Sequence, residues 1–131
     1  MALLSLLLDT CTFLWLVDDE SRVPARSMKL LKAAETVYLS AVSAYEISAK
    51  YAAGKLKLDR PADLYLEEAL EFFGLACLPF TQQAASQVIR LPRLHTDPFD
   101  RMLLCQAIEH GLTIVTPDRS ITQYPVKTIW S

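Results

Sequence analysis

"LSLLLDTCTFLWLV", residues Leu4 to Val17, decides how the chain is read. Leu4 to Leu8 form an apolar run with no alternation to mark a solvent face, as in a strand covered on both sides. Asp9 ends the run, and "TFLWLV" continues as a short helix for which Asp9 is a suitable N-cap. A doubly buried strand that passes through an acid into a helix fits the start of a parallel α/β sheet. The stretch from Met1 is not read as a secretion signal. No Lys or Arg precedes the apolar run, Asp9 interrupts it, and no small-residue cleavage pattern follows. It is also too short for a transmembrane helix. The expectation is a cytoplasmic chain with no membrane partner.

The same alternation continues outward. "PARSMKLLKAAE" reads as a helix from Pro24, and "TVYLS" (Thr36 to Ser40) as a strand. "AYEISAKYAAGKL" reads as a helix closed by Gly54, and "PADLYLEEALEFFG" as one bounded by Pro61 and Gly74. "LACLPF" is a third strand candidate, "QQAASQVIRL" a helix, and "PFDRMLLCQAIEHG" a well-delimited helix leading directly into the strand "LTIVT". "VKTIW" is a fifth strand. Proline at helix starts and glycine just past helix ends supply the punctuation. Apolar strands alternating with helices predict a three-layer α/β/α sandwich with a mainly parallel five-stranded sheet, as one domain over residues 1–131.

Of the 131 residues, 52% are hydrophobic and 21% charged, with a net charge of −2. That composition excludes a disordered chain and a strongly basic nucleic-acid binder, though not a local basic patch. Cys11, Cys77 and Cys105 form no C-x-x-C pair and sit in apolar segments. They are expected to be buried thiols in a reducing compartment, neither disulfides nor zinc ligands.

The acids are the informative residues. Asp9, Glu46 and Asp118 each follow a predicted strand, and Asp97 and Asp100 open the helix that leads into the fourth. Each has a plain structural explanation. Asp9 and Asp97 are suitable N-caps, Pro98 suits the first helical position, and Asp100 sits where a capping-box acid would. Glu46 fits a capping box with Ser43, although Ser40 is an equally good cap. Asp118 fits a turn. Taken together they suggest more. In a parallel sheet, sites form at the carboxyl ends of the strands. Carboxylates gathered there repel one another and raise each other's pKa values, which a cation relieves. All-oxygen donors favour Mg²⁺ or Mn²⁺. Such a cation suits phosphodiester hydrolysis without a Ser, Cys or His nucleophile.

Other residues have two readings. His95 is a candidate substrate contact, and His110 a helix C-terminal cap. Arg101 is expected either to pair with an acid or to reach a phosphate. Lys50 lies four residues after Glu46, which fits a helical ion pair as well as a phosphate contact. Lys55, Lys57, Arg90, Arg93 and Arg119 are candidates for a modest basic rim, suited to salt-sensitive backbone binding.

"LLLDTCTFLW", "LSAVSAYEISAKYAAGKL", "HTDPFDRMLLCQA" and "LTIVTPDRSITQYPV" resemble, in this order and over nearly the whole chain, the PIN-domain nucleases and within them the VapC-type ribonuclease toxins. "HxDPFDRML" with a downstream "TxD" is the specific part; the first acid alone is weak. The resemblance implies a PIN fold with an acidic Mg²⁺/Mn²⁺ site. It implies Asp9, Glu46, Asp100 and Asp118 as the catalytic acids, with Asp9, Asp100 and Asp118 on the metal. Asp97 is the extra acid of a "DPFDR" subgroup, and Thr116 a supporting hydroxyl. It further implies an RNA substrate, a homodimer and a cognate antitoxin. Two rivals fit less well. A haloacid-dehalogenase-type phosphatase requires D-x-D after the first strand, where this chain has Asp9-Thr10-Cys11. A response-regulator receiver requires an early acidic pair that is also missing. A non-catalytic module that keeps only the fold is the remaining alternative.

Overall fold

The computed structural model describes residues 4–131, so Met1 to Leu3 of the N-terminal stretch lie outside the described residues. Five strands form one sheet: β1 (Ser5–Leu8), β2 (Thr36–Ser40), β3 (Ala76–Leu78), β4 (Thr113–Val115) and β5 (Thr128–Ile129). The helices are α1 (Thr10–Asp18), α2 (Ala25–Ala33), α3 (Ala41–Ala52), α4 (Ala62–Phe73), α5 (Gln82–Ser86), α6 (Pro98–His110) and α7 (Arg119–Thr122). The sheet order is β3-β2-β1-β4-β5, and every pairing is parallel.

The layers follow from the period-two alternation of strand side chains. Leu6 and Leu8 of β1 and Val115 of β4 enter one core with Phe13, Leu16, Ile47 and Leu66. Leu7 and Ile114 point the other way, into a core with Leu103, Leu104, Ile121 and Tyr124. Leu6, Leu7 and Leu8 are all 0% exposed, which explains why β1 carries no polar alternation. Burying each leucine contributes about 2 kcal/mol. The expected three-layer sandwich is therefore observed, with its sheet wholly parallel.

Local differences have local causes. β3 ends at Leu78 because Pro79 has no N–H to continue the ladder. The helix expected over "QQAASQVIRL" stops at Ser86, and Gln87–Arg90 winds as a 3₁₀ turn. Its β-branched Val88 and Ile89 are 46% and 82% exposed, so no packing holds a longer helix there. Cys105 is buried, but Cys11 and Cys77 are exposed, against expectation. Cys11 lies on the open first turn of α1, and Cys77 on edge strand β3. Gly111 ends α6 with φ 65°, a conformation that favours glycine, and lets the chain enter β4 two residues later. No helix among the described residues is long and apolar enough to cross a membrane.

The sheet order contains one reversal. From β1 the chain builds outward through β2 and β3, then returns to the other side of β1 as β4 and continues to β5. The switch point lies between the carboxyl ends of β1 and β4, where a crevice opens in sheets of this kind.

Candidate active site at the sheet's carboxyl edge

Asp9 and Thr116 flank the switch point, one residue beyond β1 and β4 respectively. Asp9 is 4% exposed. Its Oδ1 accepts from Thr12 N at 2.7 Å, which makes it the N-cap of α1, and its Oδ2 accepts from Thr116 Oγ1. The Thr116 hydroxyl in turn accepts from Asp118 N at 3.0 Å. Asp118 caps α7 by accepting from Ser120 N at 2.8 Å, and its side chain is exposed. One buried hydroxyl thus ties the side chain of one acid to the backbone of another.

Glu46 reaches the same edge from the second turn of α3. The N-cap is Ser40, which accepts from Val42 N at 2.9 Å; Ser43 instead contacts the Thr10 hydroxyl at 2.9 Å. Thr10 Oγ1 donates to Glu46 Oε1 at 2.9 Å, and Lys50 Nζ lies 2.6 Å from Glu46 Oε2. Lys50 therefore makes the helical ion pair that its spacing allowed, and the Glu46 hydrogen bond raises its pKa. Beneath this helix start, Ser40 Oγ donates to Gln106 Oε1, and Gln106 Nε2 donates to Pro79 O at 3.2 Å. Both side chains are fully buried, so the pair fixes α3 against α6.

At the start of α6, Asp97 Oδ1 accepts from Phe99 N at 2.9 Å and Asp100 N at 3.2 Å. Asp97 is the cap, as the proline-containing motif implied. Asp100 Oδ2 lies 3.1 Å from His95 Nε2, and His95 Nδ1 lies 2.8 Å from the Tyr124 phenol. Arg101 engages no acid: its Nη1 donates to Pro92 O at 2.8 Å and to Tyr124 Oη at 3.0 Å. Tyr124 and Thr10 carry no sequence signal of their own and were not anticipated. Each is recognisable only once the fold brings Thr10 to Glu46 and Tyr124 to His95. Lys55, Lys57, Arg90, Arg93 and Arg119 are all exposed.

The charges interact. Burial pushes the Asp100 pKa up to about 6, with Asp97 and Asp118 adding to the rise and the His95 hydrogen bond opposing it. Burial likewise raises Asp9, against the hydrogen bonds from Thr116 and Thr12, and Asp118 adds to the rise. The Cys11 thiol is raised first by partial desolvation and then by Asp9, Glu46 and Asp118 together, which puts those three acids in one neighbourhood. Among the described residues no three acid, His or Cys side chains are gathered tightly enough to hold one ion as they stand. Each has its own partner instead: Thr116 for Asp9, Lys50 and Thr10 for Glu46, and His95 for Asp100. The donor chemistry nevertheless suits a hard divalent cation. The donors are carboxylate oxygens, and neighbouring acids add to the raised pKa values of Asp9 and Asp100, a repulsion that a cation would relieve.

The pattern that defines the PIN domain matches residues 6–127. The chain is 26% identical over 131 residues to Ribonuclease VapC22 of Mycobacterium tuberculosis, covering 96% of this chain and 98% of that one. Its fold matches VapBC2 from Rickettsia felis, bound to a DNA fragment from their promoter, with a TM-score of 0.74 and 18% identity over 98% and 100% of the two chains. DNA-bound VapBC from Salmonella typhimurium matches with a TM-score of 0.67 and 22% identity, over 96% and 97%.

Proposed function

The chain belongs to the PIN-domain family, and from that membership we propose that it is a metal-dependent endoribonuclease, the toxin of a toxin–antitoxin pair acting in the cytoplasm. The observation that carries the proposal is the Thr116 hydroxyl that joins Asp9 to Asp118 at the switch point, with Glu46 on the same edge held by Thr10, the residue after Asp9. The ribonuclease name of the mycobacterial relative supports the RNA substrate, and the VapBC assemblies support a protein partner.

Asp9, Asp100 and Asp118 would hold Mg²⁺ or Mn²⁺, with Glu46 beside them as the fourth catalytic acid. The cation, when bound, supplies positive charge that activates water and polarises the phosphodiester. The chain's own groups do the rest. Thr116 and Thr12 hold the Asp9 carboxylate in one orientation, and Thr10 does so for Glu46. Asp97 keeps the first turn of α6 formed, so that Asp100 faces the edge. Lys50, 52% exposed at its side chain, can turn from Glu46 to an RNA phosphate. The exposed basic residues and the rim of His95 extend that binding. Exposed Tyr45 packed on Phe99 leaves an apolar surface suited to a homodimer, and Phe72, 81% exposed, one suited to the antitoxin.

The test is cleavage of a single-stranded RNA by purified protein with Mn²⁺, with EDTA, and with Asp9→Asn and Asp100→Asn. Mn²⁺-dependent cleavage lost in both variants, each still folded, is the expected result. Cleavage that persists in either variant overturns the assignment. The non-catalytic reading has one observation in its favour: Asp9, Asp97 and Asp118 all cap helices, which by itself accounts for three acids. Absence of cleavage with every fold intact would leave that reading standing.

A further inference from the structure

The phenol of Tyr124 is the most crowded hydrogen-bonding atom near the acids. The residue is 3% exposed. Leu94 N and His95 N, each at 3.2 Å, and Arg101 Nη1 at 3.0 Å all point at its oxygen and share its lone pairs. The fourth neighbour is His95 Nδ1 at 2.8 Å. Backbone N–H and guanidinium groups only donate, whereas a phenol has one proton to give and two lone pairs. The single acceptor available for that proton is His95 Nδ1. With Nδ1 accepting, the ring N–H is the one on Nε2, which faces Asp100 Oδ2 at 3.1 Å. A ring flip would turn a C–H towards the carboxylate and leave the phenol proton without an acceptor. The two rings also pack edge to face, with centroids 5.4 Å apart.

We propose that Tyr124 is a positioning residue for Asp100, acting through His95: the phenol locks the imidazole, and the imidazole holds one carboxylate oxygen so that the other is presented to a cation. The proposal rests on the metal-site reading given above. It links two separate motifs, the histidine before "DPFDR" and the tyrosine of "QYPV", which the proposed reaction does not otherwise connect. Groups that orient a ligand's side chain govern metal affinity without touching the metal.

The experiment measures Mn²⁺ binding to the full chain without RNA, from the electron paramagnetic resonance signal of free Mn²⁺. Tyr124→Phe, which keeps the ring, is expected to weaken binding about tenfold. His95→Ala should weaken it equally, and the double variant no further. His95→Gln keeps an N–H donor near the Nε2 position and should recover most of the loss, which a purely structural role would not allow. A Tyr124→Phe protein that binds as tightly as wild type overturns the proposal, and so do losses that add in the double variant. If Tyr124→Phe does not fold, the His95 pair decides, and equal affinities for His95→Gln and His95→Ala overturn it. A wild type that takes up no Mn²⁺ removes the metal-site reading and the proposal with it. A wild type that binds while Tyr124→Phe binds equally removes the proposal alone.

Discussion

Thr116 and Asp9 stand 107 residues apart in the chain and share a buried hydrogen bond. The bond joins the ends of two adjacent strands, so the orientation of the most buried acid depends on the strand next door. Thr116→Val keeps the shape and removes the donor. The expected cost is about 1–3 kcal/mol, the penalty for leaving a buried polar group unpaired, together with loss of RNA cleavage. Thr116→Ser should restore both. Urea denaturation and a cleavage assay on the three proteins would check this; a valine variant with wild-type behaviour would mean that the bond is idle.

Asp100 is held at about 6 against an ordinary value of 3.8. The folded chain therefore binds this proton more tightly than the unfolded one does. Stability from this group is lost as pH rises from about 4 to about 6, and the penalty is complete above that range. The rise corresponds to at most about 3 kcal/mol, less after solvent screening because the carboxylate is only half-buried. Loss of a favourable charge at the start of α6 offsets about 0.5 kcal/mol in a neutral variant. Metal-free Asp100→Asn should thus match wild type near pH 4 and be about 1–2 kcal/mol more stable at pH 7. Denaturant melts at the two pH values test the sign, and a variant less stable at pH 7 would show that the favourable charge in the first turn of α6 outweighs the cost of burial.

Lys50 and Glu46 form an ion pair whose side chains are 52% and 12% exposed. Because the lysine is half in water, Lys50→Ala should change stability by less than about 1 kcal/mol. If the lysine turns to an RNA phosphate, the variant raises KM more than it lowers kcat. Its binding should also lose about one from the logarithmic salt slope. Binding isotherms at several salt concentrations distinguish this from an unchanged slope, which would leave Lys50 with the ion pair alone.

Gln106 and Ser40 meet in the core, fully buried, between α6 and the N-cap of α3. Gln106→Leu leaves Pro79 O and the Ser40 hydroxyl without their partner and should cost about 1–3 kcal/mol. Mn²⁺ affinity should remain at the wild-type level, in contrast with Tyr124→Phe. A calorimetric melt paired with a Mn²⁺ titration separates the two roles; a metal defect in Gln106→Leu would mean that the α3–α6 spacing itself sets the site.

Much of this was legible before the fold. Leu4 to Leu8 announced a strand buried on both faces, and Pro98 and Gly111 bounded α6 to within a residue. Proline and glycine act through the backbone of their own neighbours, so sequence carries their effect. One rule about parallel sheets placed Asp9 and Asp118 just beyond the carboxyl ends of β1 and β4, where the fold has them. What could not be read depended on distant partners. Arg101 pairs with no acid in the fold; its Nη1 instead reaches Pro92 O and Tyr124 across a loop, partners that sequence spacing does not reveal. Cys11 and Cys77 were expected to be buried because their segments are apolar; a segment's hydropathy reports the element, whereas exposure depends on the face and on edge position. The dual character of Asp9, Asp97 and Asp118 has a physical basis. A cap places its carboxylate at the positive end of a helix, where ionised acids are stabilised, and a cation site needs them ionised too.

The reversal at β1 also fixes when the site can exist during synthesis. Asp9 leaves the ribosome 107 residues before Thr116, and Asp118 follows two residues later still. Until β4 has been made and has slotted against β1, Asp9 lacks its hydroxyl donor and Asp118 is absent. A nascent or prematurely terminated chain that ends before β4 therefore carries three of the four proposed catalytic acids without the crevice that would unite them. The sheet order delays assembly of the proposed nuclease until the segment that follows α6 emerges.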